Sequence, residues 1–83
     1  MIFRICAYKD IELDKYLPPF VVPSPEEDII EGITEAGKKG KIDDCAHKMV
    51  YFLGTFDTAD GKFKIAESPF LLVDCRQFVK ESV

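Results

Sequence analysis

The chain opens on an alternation. From Ile2 to Tyr8, Phe3, Ile5 and Ala7 fall on one side, with Arg4 and Tyr8 on the other. A period of two in a run rich in β-formers predicts a first strand over 2–8. The pattern then loosens. Residues 9–17 carry Lys9, Asp10, Glu12, Asp14 and Lys15, interleaved with Ile11, Leu13 and Leu17, which fits a second short strand or an irregular excursion. Pro18, Pro19, Pro23 and Pro25 enclose Phe20-Val21-Val22. Proline withholds its amide and stops helices, so this stretch predicts an extended connection laid over the core.

The period becomes helical after Ser24. Ser24 suits an N-cap, Pro25 the first helical position, and Glu27 closes a capping box. Glu26, Glu27 and Asp28 suit the positive end of a helix dipole. Ile29, Ile30, Ile33 and Ala36 form one apolar stripe, and Gly37 and Gly40 offer a stop. The spacing predicts a helix over about 25–37.

Beyond it, Met49 to Phe56 is almost wholly apolar and predicts a central strand, covered at least in part on both faces. Residues 57–61 end on Asp60-Gly61, a hairpin turn in which Gly61 is free to take positive φ. Lys62 to Ala66 alternates, with Phe63 and Ile65 predicted to face the core and Lys62 and Lys64 to face water, as on an edge or half-exposed strand. Ser68-Pro69 is read as a break before a last short apolar stretch, Phe70 to Val73. Asp74 can cap a final helix with Gln77 at the box position, burying Cys75, Phe78 and Val79. The whole predicts the α+β class: a small antiparallel sheet of three to four strands, one main helix and a short C-terminal helix, in a single domain over 1–83.

Length changes this picture in one respect. A chain of 83 residues buries only about 60% of the surface its unfolded form exposes, and seven Phe and three Tyr with no Trp supply the bulky core material. A homodimer is one physical way to bury more of it. The absence of a long apolar run predicts no membrane span, and Met1-Ile2-Phe3-Arg4-Ile5 does not read as a signal peptide.

Charge narrows the function classes. A net charge of −4 argues against a dense coat on nucleic acid, because phosphate contacts demand a basic surface, but it leaves room for a local basic patch. Gly37-Lys38-Lys39-Gly40-Lys41 is the concentrated basic segment. Its backbone amides and lysines could hold phosphate, although lysines also gather at helix C-termini to meet the dipole, and the P-loop spacing is absent. Tyr51, Phe52, Phe56 and Phe63 lie on the predicted hairpin beside Lys48, Lys62 and Lys64. Aromatics flanked by lysines form stacking platforms in single-strand binders, and the same aromatics are what a small core needs. Strict alternation would point Tyr51 opposite to Phe52 and Phe56, leaving Tyr51 as the exposed ring.

Catalytic signals are weak. Cys6, Cys45 and Cys75 are odd in number and lack Cys-x-x-Cys spacing, so buried or half-buried thiols in a reducing compartment are expected rather than disulfides. Cys45 and His47 give two soft ligands where zinc wants four, and a cysteine–histidine enzyme would need a nucleophile motif and an orienting group. Asp10, Glu12 and Asp14 lack the glycine turn and distal Glu of a calcium loop and read as a solvated acidic face. No enzyme activity, metal or cofactor is expected.

Val50-Tyr51-Phe52-Leu53-Gly54-Thr55-Phe56-Asp57, the Asp60-Gly61 turn, Pro69, Phe70-Leu71-Leu72 and Phe78-Val79 resemble the small nonstructural protein of gokushovirus-type microviruses. The strand, charged stretch, Pro19-Phe20 and Pro23 before the helix are similar too, so the likeness runs through most of the chain. The Gly37–Lys41 segment departs from the family pattern, and a phosphate role for it draws nothing from the resemblance. The resemblance implies a protein made in the cytoplasm of an infected bacterium and absent from the virion. Members are described as DNA-binding or DNA-synthesis proteins, with a suggested role in the switch from copying the double-stranded form to making and packaging single strands. It supplies no catalytic residues.

The leading expectation is therefore a non-enzymatic phage protein that binds single-stranded DNA or the replication complex, through Lys38, Lys39, Lys41, Lys48, Tyr51, Lys62 and Lys64. The alternative is an adaptor that docks a phage or host replication protein without touching DNA, through the acidic helix face or the edge of the Lys62–Ala66 strand.

Overall fold

The computed structural model describes residues 1–79. It is an α+β fold built on one antiparallel sheet. Strand β1, Ile2–Asp10, runs through the middle. Strands β4, Lys48–Asp57, and β5, Lys62–Asp74, follow on one side of it. Two short strands, β2 (Lys15–Tyr16) and β3 (Phe20–Val22), share its other edge. β2 pairs with Lys9–Asp10 and β3 with Arg4–Cys6, so the returning chain behaves as one irregular strand. Pro18 and Pro19 interrupt it, since neither has an amide to give the ladder. The stretch expected only as an extended connection thus pairs with the sheet.

Helix α1, Glu26–Lys38, crosses one face. Its start is shifted by one residue from the expected box: Pro25 occupies the N-cap in an extended conformation and no side chain caps the helix. Glu26, Glu27 and Asp28 still meet the exposed amides with negative charge. The other end is a Schellman turn. The Lys41 amide donates to the Ala36 carbonyl and the Gly40 amide to the Gly37 carbonyl, with Gly40 at φ +70°. Gly40 is thus the stop. Gly37 is a buried contact, with the Phe78 ring packed where a Cβ would project.

The core lies between α1 and the sheet. Cys6, Ile29, Val50, Val73 and Cys75 are buried there, with Tyr8, Phe20, Val22, Ile33, Leu72 and Phe78 packed around them. Tyr8, Val50 and Val73 form one cross-strand row of that face. No phenylalanine or leucine of the described chain is fully buried, and the largest side chain that is belongs to Val50.

Two expectations about β5 are corrected. Ser68-Pro69 does not end a strand: β5 continues to Asp74, with its register against β4 shifting between Gly54↔Ile65 and Phe52↔Phe70. As the outer strand it can carry a proline whose missing amide would have faced solvent. Nor do Phe63 and Ile65 face a core; they are 63% and 68% exposed. The final helix is a 3₁₀ turn over Cys75–Phe78, where the Asp74 carboxylate accepts from the Arg76 amide. Val79 is exposed, and the remainder of the expected helix lies outside the described residues. No helix among the described residues is long and apolar enough to cross a membrane.

Candidate nucleic-acid interface

The sheet has two unlike faces, and a bulge decides which side chains share them. Between Ile5 and Cys6 the partner on β4 jumps from Gly54 to Phe52. Leu53 is the extra residue, and it reverses the parity of β4 relative to β1. Phe3 lies opposite Phe56 and Ala7 opposite Tyr51, and on β1 these residues point the same way. Tyr51 therefore shares a face with Phe56, while Phe52 lies opposite Cys6 on the helix side. The strict alternation read from the sequence had separated Tyr51 from Phe56, because a bulge leaves no mark in an apolar run.

On the face away from α1 the cross-strand rows are Phe3–Phe56–Phe63, Ile5–Gly54–Ile65 and Ala7–Tyr51–Leu71. The Phe56 and Phe63 rings lie 4.8 Å apart. Tyr51 meets Tyr16 edge to face at 5.6 Å, and the Lys9 ammonium sits 5.4 Å from the Tyr16 ring. Lys9 also pairs with Asp14 at 3.1 Å, and that hydrogen bond raises the lysine pKa. Arg76 is held by the Asp74 carboxylate at 2.6 Å, and its hydrogen bonds draw the Asp74 pKa down. Both cations on this face are thus already matched.

On the helix side, at the far end of the hairpin, a different arrangement forms. Arg4, Thr55 and Lys64 are one cross-strand row, and Ile2, Asp57 and Lys62 the next. With Asp60 they line a notch of about 190 Å³. Three cations and two carboxylates share it, a net of +1, and the carboxylates also hold the turn: Asp57 accepts from the Ala59 amide and Asp60 from the Lys62 amide. Arg4 reaches Glu26 of α1 at 3.4 Å, and Lys62 and Lys64 have no carboxylate partner within 4.0 Å among the described residues.

The seven expected contact residues do not form one surface. Lys38 is the last residue of α1, and Lys39 and Lys41 follow it at the end that Gly37 anchors against Phe78; Lys39 is matched by Glu35 at 3.8 Å. Lys48 begins β4 at that same end, its ammonium 5.9 Å from the Tyr8 ring. Lys62 and Lys64 lie near the start of β5, opposite Asp57 and Thr55, whereas Asp74 lies opposite Met49, eight and six residues away on β4, a separation of roughly 20–27 Å. Tyr51 projects from the opposite face. Only Lys62 and Lys64 converge, and they do so with Arg4, which the sequence placed on β1 without a role. The cue was available: an arginine alternating with apolar residues on the strand that pairs with the hairpin.

Cys45 and His47 are occupied separately. The Cys45 thiol donates to the Ile42 carbonyl at 3.0 Å, while His47 Nδ1 lies 2.8 Å from Asp44 and 3.6 Å from Glu12. Asp44 sits at φ +56° at the head of this turn. Its hydrogen bond raises the His47 pKa above 6.5, with further help from Glu12 and Asp10. A group whose folded pKa is raised stabilises the fold below its unfolded pKa and loses that contribution as pH rises through the folded value. An NMR pH titration of the His47 ring is expected to give a midpoint above 6.5, and Asp44→Asn to lower it.

Burial pushes Cys6 and Cys75 up to about 11, with a smaller push from Glu26 on Cys6 and from Cys45 and Asp74 on Cys75. A thiol reagent at pH 8 is therefore expected to label Cys45 quickly and to reach Cys6 and Cys75 only on unfolding; three equal rates would contradict the burial. No group of three or more metal-ligating side chains is gathered among the described residues. The chain matches no protein-family model, no curated protein and no solved structure.

Proposed function

We propose that this chain is a non-enzymatic protein of a single-stranded-DNA phage, acting in replication or packaging by binding single-stranded DNA at the Arg4–Lys62–Lys64 notch. One observation carries the reading: an acidic molecule of net charge −4 gathers three cations against two carboxylates in one concavity, and the two lysines there have no carboxylate within ion-pair distance among the described residues. A guanidinium, two ammonium groups and the Thr55 hydroxyl are donors suited to backbone phosphate. Contacts to backbone phosphate carry no sequence information, so binding through them would be indifferent to sequence. The likeness of the Leu53–Asp57 segment and its hairpin to the gokushovirus-type nonstructural protein supports the same reading, because that hairpin presents both lysines.

The test is a fluorescence-anisotropy titration with a labelled single strand of about 16 nucleotides, comparing the natural chain with Lys62→Glu/Lys64→Glu over a range of salt. Salt-dependent binding that the double substitution weakens supports the reading. Absence of binding at low salt, or equal binding by both proteins, removes it.

A second reading is an adaptor that docks a phage or host replication protein. The exposed acidic face of α1, with Glu27, Asp28, Glu31 and Glu35, favours it, since such a face suits a basic protein surface. Capture of a replication protein by a chain with no affinity for DNA would select this version.

A further inference from the structure

The hairpin half of the sheet is amphipathic. Its helix-side rows carry the charge, with Arg4, Thr55 and Lys64 in one and Asp57 and Lys62 beside the apolar Ile2 in the other. Its open-face rows, Phe3–Phe56–Phe63 and Ile5–Gly54–Ile65, contain no ionisable group. A sheet face of that kind needs a second layer to exclude water, and α1 supplies one only on the other side.

The surface area measures the deficit. The chain exposes 5803 Å², whereas a compact monomer of its 9.4 kDa mass is expected to expose about 5,000 Å². The excess is about 800 Å², which is what one partner contributes to an interface of ordinary size. The outline is elongated, 52 × 25 × 16 Å, and an elongated chain exposes more surface than a compact one.

We propose that a second copy of this chain covers the open face, the two sheets packing face to face about 10 Å apart in an isologous dimer, with Phe63 and Ile65 at its centre. A two-fold contact must be self-complementary. Molecules of net charge −4 repel, and these uncharged rows are the surface on which two copies can meet without opposing like charges. Each protomer then provides the layer its partner lacks, and the large apolar side chains that no single chain buries are enclosed. The Arg4–Lys62–Lys64 notch opens on the other face, so the dimer leaves two notches free and stands whether or not they hold DNA.

Sedimentation equilibrium over a wide protein concentration range tests this. The natural chain is expected to approach twice 9.4 kDa, and Phe63→Glu to remain at the mass of one chain with its circular dichroism unchanged. Lys62→Glu/Lys64→Glu is expected to stay dimeric, which separates this outcome from loss of DNA binding. A natural chain that keeps single-chain mass throughout overturns the proposal and assigns the face to another protein. So does a Phe63→Glu variant that assembles as the natural chain does. Without any substitution, the thermal midpoint is expected to rise with protein concentration, and a constant midpoint counts equally against the dimer.

Discussion

Gly54→Ala is expected to destabilise the fold by about 3 kcal/mol, at the upper end of what overpacking one methyl group costs. Gly54 is buried in β4, opposite Ile65 of β5. A Cβ at this position would strike the Lys64 carbonyl oxygen and come within 3.0 Å of the Ile65 Cα. Those are backbone atoms of a paired strand, so no rotamer change relieves the contact and the strands must separate. A domain of this size has about 5 kcal/mol to lose, so the variant sits near unfolding at room temperature. Urea denaturation followed by circular dichroism measures it. A midpoint within error of the natural chain would mean that the two strands do not approach as described. At Gly37 the obstacle is the Phe78 ring, Cγ included, so Phe78 must shift as a whole, which works against the roughly 1 kcal/mol by which alanine favours the helix.

The charge reversal Lys62→Glu/Lys64→Glu is expected to weaken single-strand binding at least about tenfold at low salt and to flatten its salt dependence. Phosphate affinity on a single strand falls with salt at about 0.7 logarithmic units per neutralised phosphate. Three contacts at the notch predict a slope near −2, and removal of two leaves a slope near −0.7. Both side chains are exposed, so the stability cost should stay below about 1 kcal/mol and come from Lys62, whose reversal sets a like charge opposite Asp57. That separates the result from Gly54→Ala, where loss of binding would follow loss of the hairpin. Reversal of Lys38 and Lys39, at the other end of the helix, is expected to leave binding nearly unchanged. A larger loss there than at Lys62 and Lys64 would move the DNA site to the helix end.

The elements that read clearly are those whose signal is local. The α1 stripe, the Gly61 turn and the alternation of β1 all rest on residues within one or two turns of each other, and each falls where expected to within two residues. Apart from the Ser24 cap, which the shifted helix start displaces, the readings that failed depended on a partner strand. Pro69 looked like a break, and it becomes tolerable once β5 is the outer strand. Phe63 and Ile65 alternate as core residues do, yet nothing in a strand's own pattern tells which of its faces is covered.

The candidate site shows the same division. Lys62 and Lys64 were visible as lysines on a hairpin, but Arg4 joins them only because β1 pairs with β4 and β4 with β5. The helix-end lysines were the more conspicuous cluster in the sequence, and the sheet register sets them a strand's length away from the hairpin pair.

By itself, the order of apolar and polar residues determined the α+β class, the main helix and the hairpin, because backbone hydrogen bonding and side-chain period are settled over a few residues. Tertiary structure alone decided that Leu53 bulges, that Tyr51 and Phe56 share a face, that the cations divide between two ends, and that one side of the sheet lies uncovered. Each of these depends on which strands meet and in what register, a long-range choice made by burial of the whole chain at once.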